Sequence, residues 1–214
     1  MCRIGILGGA FDPVHRGHMH MAVSACQYFD LERVWLMPAG HSPNKGDKIM
    51  TAAEHRLRMC EIAAEADERL EAVDFEIRRG SDGTNNPEPD YTYRTLERIA
   101  KDVGQRLYFI MGGDSLDYFD RWAHPEIICA LATILVAPRD EFDIPAMEKK
   151  IAGIQTLFPC DIQILPCTPL QISSTRLREQ LKRGEAGRED FPPGVFEYIR
   201  ENGLYCQAEP AGKA

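Results

Sequence analysis

The sequence lacks any apolar run long enough to cross a bilayer, and no run near its start has the character of a secretory signal. It also lacks a Cys-x-x-Cys pair. The seven cysteines are odd in number and scattered, which disfavours both a disulfide framework and a zinc site. These absences predict a cytoplasmic protein with reduced thiols and no membrane partner.

Basic residues are scarce as well. The 25 Lys and Arg residues against 33 Asp and Glu residues give a net charge of −8, which argues against a nucleic-acid partner because phosphate backbones require a basic face. A local basic site for a small phosphorylated molecule is still compatible with this balance. The length of 214 residues suits one domain, which we expect to span residues 1–206 with a flexible tail at 207–214. A homo-oligomeric assembly is left open.

Short apolar runs alternate with segments of helical periodicity along the whole chain. This alternation predicts an α/β fold, a Rossmann-like doubly wound and mostly parallel sheet with helices on both faces. The predicted strands are Arg3–Leu7, Arg33–Met37, the alternating Val73, Phe75 and Ile77, Leu107–Met111, Ala132–Val136 and Ile162–Leu165. The predicted helices include those built on Met19, Ala22 and Cys26, on the Thr51–Glu54 capping box, and on Leu96 and Ile99, and two that begin near Ser174 and Pro192, the last ending at Asn202-Gly203.

Ligands of such a sheet bind beyond the carboxyl ends of its strands. The loops expected at this edge follow Leu7, Met37, Met111 and Leu165. Two longer loops, Gly40–Met50 and Gly80–Asp90, are rich in Gly, Pro, Asn and Asp, a composition typical of solvated connectors and of lids alike.

Two glycines and three histidines lie between the first strand and the first helix. Gly8 and Gly9 remove side chains at the turn, so that backbone N–H groups can approach an anion. His15 and His18 are three residues apart and fall on the same side of a helical turn, whereas His20 is expected on a different face. No Gly-Lys-Ser/Thr follows, and the pattern is not Gly-x-Gly-x-x-Gly, so neither a P-loop kinase nor a dinucleotide dehydrogenase is favoured. The corner predicts a phosphate site; the alternative is a glycine turn with surface histidines.

A second candidate anion site begins at Ser173. Ser173, Ser174 and Thr175 are natural N-cap residues, and free amides at a helix start favour anions. Four basic side chains and one acidic side chain lie between Gln171 and Arg183, which is a local positive patch in an acidic chain. The alternative is a capped helix with a solvated basic face.

Together these two segments resemble the signatures of the nucleotidylyltransferase superfamily, the first at Gly8–His18 and the second at Ile172–Arg178. The sharper resemblance is to the bacterial nicotinate-nucleotide adenylyltransferase family, and it runs from Arg3 to about Tyr205. It implies an enzyme that moves AMP from ATP to nicotinate mononucleotide, giving nicotinate adenine dinucleotide and pyrophosphate in NAD biosynthesis.

The resemblance also implies roles for individual residues. His15, His18 and Arg178 would be catalytic, with His18 donating to the α-phosphate, His15 orienting an adjacent phosphate and Arg178 holding the β- and γ-phosphates. Mg²⁺ would be bound mainly through the ATP phosphates, with no dedicated metal site in the protein. The residues expected to bind ATP are Gly8, Gly9, Ala10, Phe11, Ser173, Ser174 and Thr175.

The second nucleotide would contact the middle of the chain. Tyr91-Thr92 resembles the family segment that contacts the pyridine carboxylate, and Trp122 resembles the stacking tryptophan. Core packing is the alternative for Trp122, and a helix N-cap is the alternative for Asp114. The residues expected to bind the nicotinate nucleotide are Lys45, Tyr91, Thr92, Asp114 and Trp122.

Ala10, Asn44 and Ala123 depart from the family pattern. Because these departures leave both histidines and Arg178 in place, they bear on the acceptor more than on adenylyl transfer. Nicotinamide mononucleotide and phosphopantetheine therefore stay open as acceptors, and so does a non-catalytic nucleotide-binding module on the same fold.

Overall fold

The computed structural model describes residues 3–40, 50–80, 89–138 and 144–206. Asn44 and Lys45, two positions singled out in the sequence, lie outside these ranges, as do most of the two long loops and the expected tail at 207–214. Within the described ranges, no helix is long and apolar enough to cross a membrane.

Six strands of the described chain pair in parallel to form one sheet. The strands are β1 (Ile4–Gly9), β2 (Arg33–Pro38), β3 (Leu70–Ala72), β4 (Leu107–Gly112), β5 (Ala132–Ala137) and β6 (Ile162–Ile164). Their order across the sheet is β3-β2-β1-β4-β5-β6, the doubly wound order, which confirms the predicted fold class.

The order reverses between β1 and β4. These two strands are neighbours, with Gly5 opposite Tyr108 and Leu7 opposite Ile110, and the chain winds outward from them in both directions. A reversal of this kind opens a crevice beyond the carboxyl ends of the two strands. The glycine–histidine corner follows β1 directly, so the fold places it at this crevice.

Helices cover both faces of the sheet. They are α1 (Arg16–Phe29), α2 (Ala53–Ala64), α3 (Phe75–Gly80), α4 (Thr92–Val103), α5 (Gly113–Leu116), α6 (Pro125–Leu131), α7 (Ile144–Leu157), α8 (Ser174–Arg183) and α9 (Val195–Glu201). Alternate strand residues enter opposite cores: Leu7 and Ile110 pack with α1, α2 and α9, whereas Ile6 and Phe109 pack with α4, α6 and α7. Burial on both faces explains why the strands read as continuous apolar runs.

Two predictions about the segment between β2 and α4 are wrong. Val73, Phe75 and Ile77 do not form a strand: β3 ends at Ala72, and the N–H of Arg78 already donates to the carbonyl of Asp74 in a helical bond of 2.9 Å. An alternation of only three apolar residues is too short to separate a strand from one turn of helix.

The prediction of a Thr51–Glu54 capping box is also wrong, although the helix predicted to start there exists. The N-cap residue of α2 is Ala52, and no side chain caps it. The Thr51 carbonyl instead accepts a hydrogen bond of 2.9 Å from Nε of the buried Arg56.

Candidate active site

A cavity of about 330 Å³ lies at the carboxyl ends of β1 and β4. The predicted site residues that border it are Gly8, His15, His18, Asp114, Trp122, Ser173 and Ser174. The loop after Leu165 also reaches it through residues 167–170, as expected for strands that end at one edge. The cavity therefore joins the two motifs and part of the proposed mononucleotide site.

His15 and His18 form a stacked pair at the start of α1, with ring centroids 3.7 Å apart and an interplanar angle of 27°. His15 is the N-cap residue, and its backbone N–H donates to Nδ1 of His18 at 3.2 Å. A ring nitrogen that accepts a hydrogen bond carries no proton, so this contact places the ring proton of His18 on Nε2. The prediction that the two histidines share one side is confirmed.

His15 is a neutral donor rather than a cation. Its side chain is only 5% exposed, and burial lowers its pKa to about 4, so the ring is uncharged at pH 7. Among the described residues, its buried Nδ1 has no hydrogen-bond partner.

Glycine at position 17 leaves room for the His15 ring. A Cβ built on Gly17 would lie 3.0 Å from both Cε1 and Nδ1 of that ring, tighter than most such contacts, so the ring would have to shift. The contrast with Gly8 is informative, since a Cβ there would meet only the ring of Phe109 at 3.7 Å. Glycine at position 8 therefore leaves the cavity wall open, whereas Gly17 lets His15 lie flat against α1. Gly17 was missed as a site residue, although its place between the two histidines signals it.

We expect Gly17→Ala to lower kcat by on the order of tenfold, because the added methyl displaces His15 from its stacked position. Ala is favoured over Gly in a helix by about 1 kcal/mol, which offsets part of the cost of this displacement in the unfolding free energy. Gly153→Ala in α7 is the matched control, since its Cβ would meet nothing within 4 Å. Steady-state turnover and urea unfolding of both variants decide the point; equal turnover of the two would contradict the role of Gly17.

Side chains of the second motif donate hydrogen bonds to the turn of the first motif. Ser173 caps α8 by accepting from the Arg176 N–H at 3.3 Å, which confirms the predicted helix start. Oγ of Ser174 donates to the Pro13 carbonyl at 3.0 Å, and Nη1 of Arg178 donates to the Asp12 carbonyl at 2.6 Å. Two motifs more than 150 residues apart in the sequence therefore share a direct hydrogen-bonded contact.

The other residues predicted to bind ATP do not border the cavity. Phe11 is 1% exposed, and its ring contacts the His18 ring edge-on, with centroids 4.9 Å apart. Arg178 donates through Nη2 to Oγ1 of Thr175 at 3.3 Å. Of the described residues, those predicted for the site that do not border the cavity are Gly9, Ala10, Phe11, Thr175, Arg178, Tyr91 and Thr92.

Trp122 packs in the core and also lies at the cavity. Its ring packs against Phe119 and Phe109 at centroid distances of 5.5 and 6.1 Å, and it also borders the cavity. Its buried Nε1 has no partner among the described residues. Asp114 is exposed and lies in the first turn of α5, whose N-cap is Gly112, so Asp114 is not the cap.

His20 was expected on a different face of α1 from His15 and His18, with no role in the site. It nevertheless borders the same cavity as those two histidines. The reason is that the segment around Leu170 and Ile172 also borders the cavity, so the cavity reaches more than one side of the first turns of α1. No pattern local to α1 could reveal a wall contributed by residues 150 positions later.

The described residues contain no group of three or more His, Cys, Asp or Glu side chains that could hold a metal ion. Asp114 is the carboxylate among the described residues that border the cavity. These donors do not form a cage, and a divalent ion that keeps most of its waters and binds through phosphates requires none.

Comparison with known proteins agrees with both motifs. A family model described as cytidylyltransferase-like matches residues 6–180, the stretch from β1 to α8. A protein from Synechococcus sp. strain JA-3-3Ab, named "Probable nicotinate-nucleotide adenylyltransferase", is 37% identical over 204 residues, which cover 95% of this chain and 94% of that one. A relative of the same name from Lachnoclostridium phytofermentans is 32% identical over 96% of this chain and 100% of its own.

The chain belongs to the nicotinate-nucleotide adenylyltransferase family. Membership of this family makes it a nucleotidyltransferase, an enzyme class that the stacked histidines and the serine-capped helix suit. A solved structure shares the fold. The Plasmodium falciparum nicotinic acid mononucleotide adenylyltransferase complexed with NaAD superposes on this chain with a TM-score of 0.75 at 22% identity. The superposition covers 96% of this chain and 98% of that one.

Proposed function

We propose that this chain transfers AMP from ATP to nicotinate mononucleotide, giving nicotinate adenine dinucleotide and pyrophosphate. The observation that carries the proposal is a single cavity bordered by His15 and His18 at one motif, by Ser173 and Ser174 at the other, and by Trp122. The names of relatives at 32–37% identity over nearly the whole chain support the same reaction.

The reaction requires positioning and charge neutralisation more than proton transfer. The 5′-phosphate of the acceptor is already an anion, so it can attack the α-phosphorus of ATP without a general base, while the bond to the pyrophosphate oxygen breaks in line. Nε2–H of His18 would donate to the α-phosphate as charge develops there, and neutral His15 would donate to an adjacent phosphate oxygen. Preorganised donors of this kind lower the barrier because they do not have to reorganise during the reaction.

The leaving pyrophosphate would be held at the start of α8. The free amides of the Ser173–Thr175 segment and the guanidinium of Arg178 supply the positive end of the site. A guanidinium has more N–H groups than the contacts to Asp12 and Thr175 use, so Arg178 can bind phosphate while it still contacts the turn.

Mg²⁺ fits this site as an ion bound through the phosphates. Asp114 is the carboxylate among the described residues at the cavity that could bind the ion or one of its waters. When bound, the ion would neutralise phosphate charge. The acceptor ring would lie against Trp122, whose indole borders the cavity and whose N–H has no partner in the part of the chain that the structure describes. Tyr91, Thr92 and Lys45 stay predictions for this part of the site, as do the cytoplasmic location, the oligomeric state and the domain boundary at residue 206.

Pyrophosphate release from ATP tests the proposal directly. The assay compares nicotinate mononucleotide, nicotinamide mononucleotide and phosphopantetheine as acceptors, with the dinucleotide product identified by mass spectrometry. We expect the fastest release with nicotinate mononucleotide. Faster release with another acceptor would move the assignment to that acceptor, and release with none of them would favour a non-catalytic nucleotide-binding module.

A further inference from the structure

The Ala10–Pro13 turn is held by side chains from three separate parts of the chain. Nη1 of Arg56 in α2 donates to the Ala10 carbonyl at 2.8 Å. The hydroxyl of Tyr205, which follows α9, donates to Oδ1 of Asp12 at 2.7 Å. The other hydrogen bonds to the turn come from Ser174 and Arg178 of α8, the residues already proposed to bind phosphate.

Arg56 is an unusual residue to find at such a place. It is 1% exposed, and within the described ranges its guanidinium donates to two main-chain carbonyls, those of Ala10 and Thr51. Burial lowers the pKa of its guanidinium, and the nearby Asp12 carboxylate is the largest influence in the opposite direction. Because a buried cation is costly, a structure that keeps one needs the contacts it makes.

The turn itself has a backbone that needs to be held. Phe11 has a φ of +46°, a left-handed conformation that is unfavourable for a bulky residue. Such a conformation persists only where its surroundings fix it. The ring of Phe11 in turn contacts the ring of His18, so the position of the turn is transmitted to the proposed donor.

We propose that Arg56 and Tyr205 are positioning residues that hold the Ala10–Pro13 turn and, through Phe11, the ring of His18. Ser174 and Arg178 hold the same turn, but they are also assigned to the phosphates. Arg56 and Tyr205 border no part of the described cavity; besides the turn, both also hydrogen-bond to Thr51.

Tyr205→Phe tests the inference, which rests on the proposed function for its kinetic readout. The variant removes one hydroxyl, and we expect kcat to fall about tenfold while KM for ATP changes by less than about twofold. Tyr198→Phe is the matched control: the Tyr198 hydroxyl lies 2.8 Å from Nδ1 of His55, so it also links the C-terminal helix to α2, but it does not contact the turn. Equal kcat values for the two variants would overturn the proposal.

Arg56→Lys extends the test, since it keeps the buried charge but cannot reproduce both hydrogen bonds. We expect it to lower kcat as Tyr205→Phe does. The imidazole ¹⁵N signals of His18 give a readout that does not depend on turnover, and they should shift in Tyr205→Phe but not in Tyr198→Phe. If the wild-type protein releases no pyrophosphate, the proposed function fails and these signals decide the inference alone; an unmoved His18 signal in Tyr205→Phe would then reject it.

Discussion

His18→Ala is expected to lose about 10²–10³-fold in kcat, the usual effect of removing one preorganised donor from a transition state. The loss should be confined to turnover, because the phosphates would still be held by the start of α8 and by Arg178. KM for ATP should therefore change little. Pyrophosphate release over a series of ATP concentrations, at saturating nicotinate mononucleotide, measures both quantities.

Two further variants make the His18 result specific. His18→Gln keeps an N–H donor at the distance of the imidazole Nε2 and should recover part of the lost turnover. His55→Ala removes a histidine of α2 that bonds Tyr198 at 2.8 Å and does not border the described cavity, so it should leave kcat unchanged. Turnover of His18→Ala close to that of His55→Ala would exclude the assigned role.

The sheet could be predicted from the sequence because its central strands are buried on both faces. Runs such as Leu107–Met111 have no competing helical period, and the structure places β4 there. Helix α6 could not be predicted in the same way. The run from Ile127 to Ala137 is apolar except for Thr133, yet it is helix up to Leu131 and strand from Ala132 onward. The strand from Ala132 was predicted, whereas no periodicity within the run marks the residues before it as a helix.

The candidate site was predictable wherever the chemistry lies close together in sequence. His15 and His18 are neighbours on one turn, and Ser173 signals a helix start by its own side chain. Arg56 and Tyr205 could not be found in this way, because each contacts the turn across 46 and 193 residues respectively and neither belongs to a motif. Contacts over such sequence distances, one with the Ala10 carbonyl and one with the Asp12 carboxylate, leave no mark in the local pattern.

Acid should weaken the folded protein through His15. Burial holds the pKa of this ring at about 4, below its ordinary value of 6.5. The unfolded chain therefore binds a proton at His15 as the pH falls below 6.5, whereas the folded chain does not bind it until about pH 4. Stability is lost progressively across this window, by about 3 kcal/mol when the window has been crossed.

His15→Gln removes the titration, so its unfolding free energy should fall less than that of the wild type between pH 7 and pH 4.5. We expect the decrease in unfolding free energy over this pH range to be about 2 kcal/mol smaller in His15→Gln than in the wild type, as measured by urea unfolding at each pH. His55→Gln, which removes a histidine outside the cavity, controls for the loss of a titratable ring. Parallel pH dependence of the wild type and His15→Gln would contradict the buried neutral state of His15.

The same burial links the fold to the proposed chemistry. A triphosphate beside His15 favours the charged form of the ring, so bound ATP should raise the pKa of His15 and reduce the acid loss. Wild-type protein should then gain more stability from ATP at pH 5 than at pH 7.5, whereas His15→Gln should gain similar amounts at both. A wild-type gain that does not depend on pH would show that the phosphates do not reach His15, and the phosphate role would pass to His18 alone.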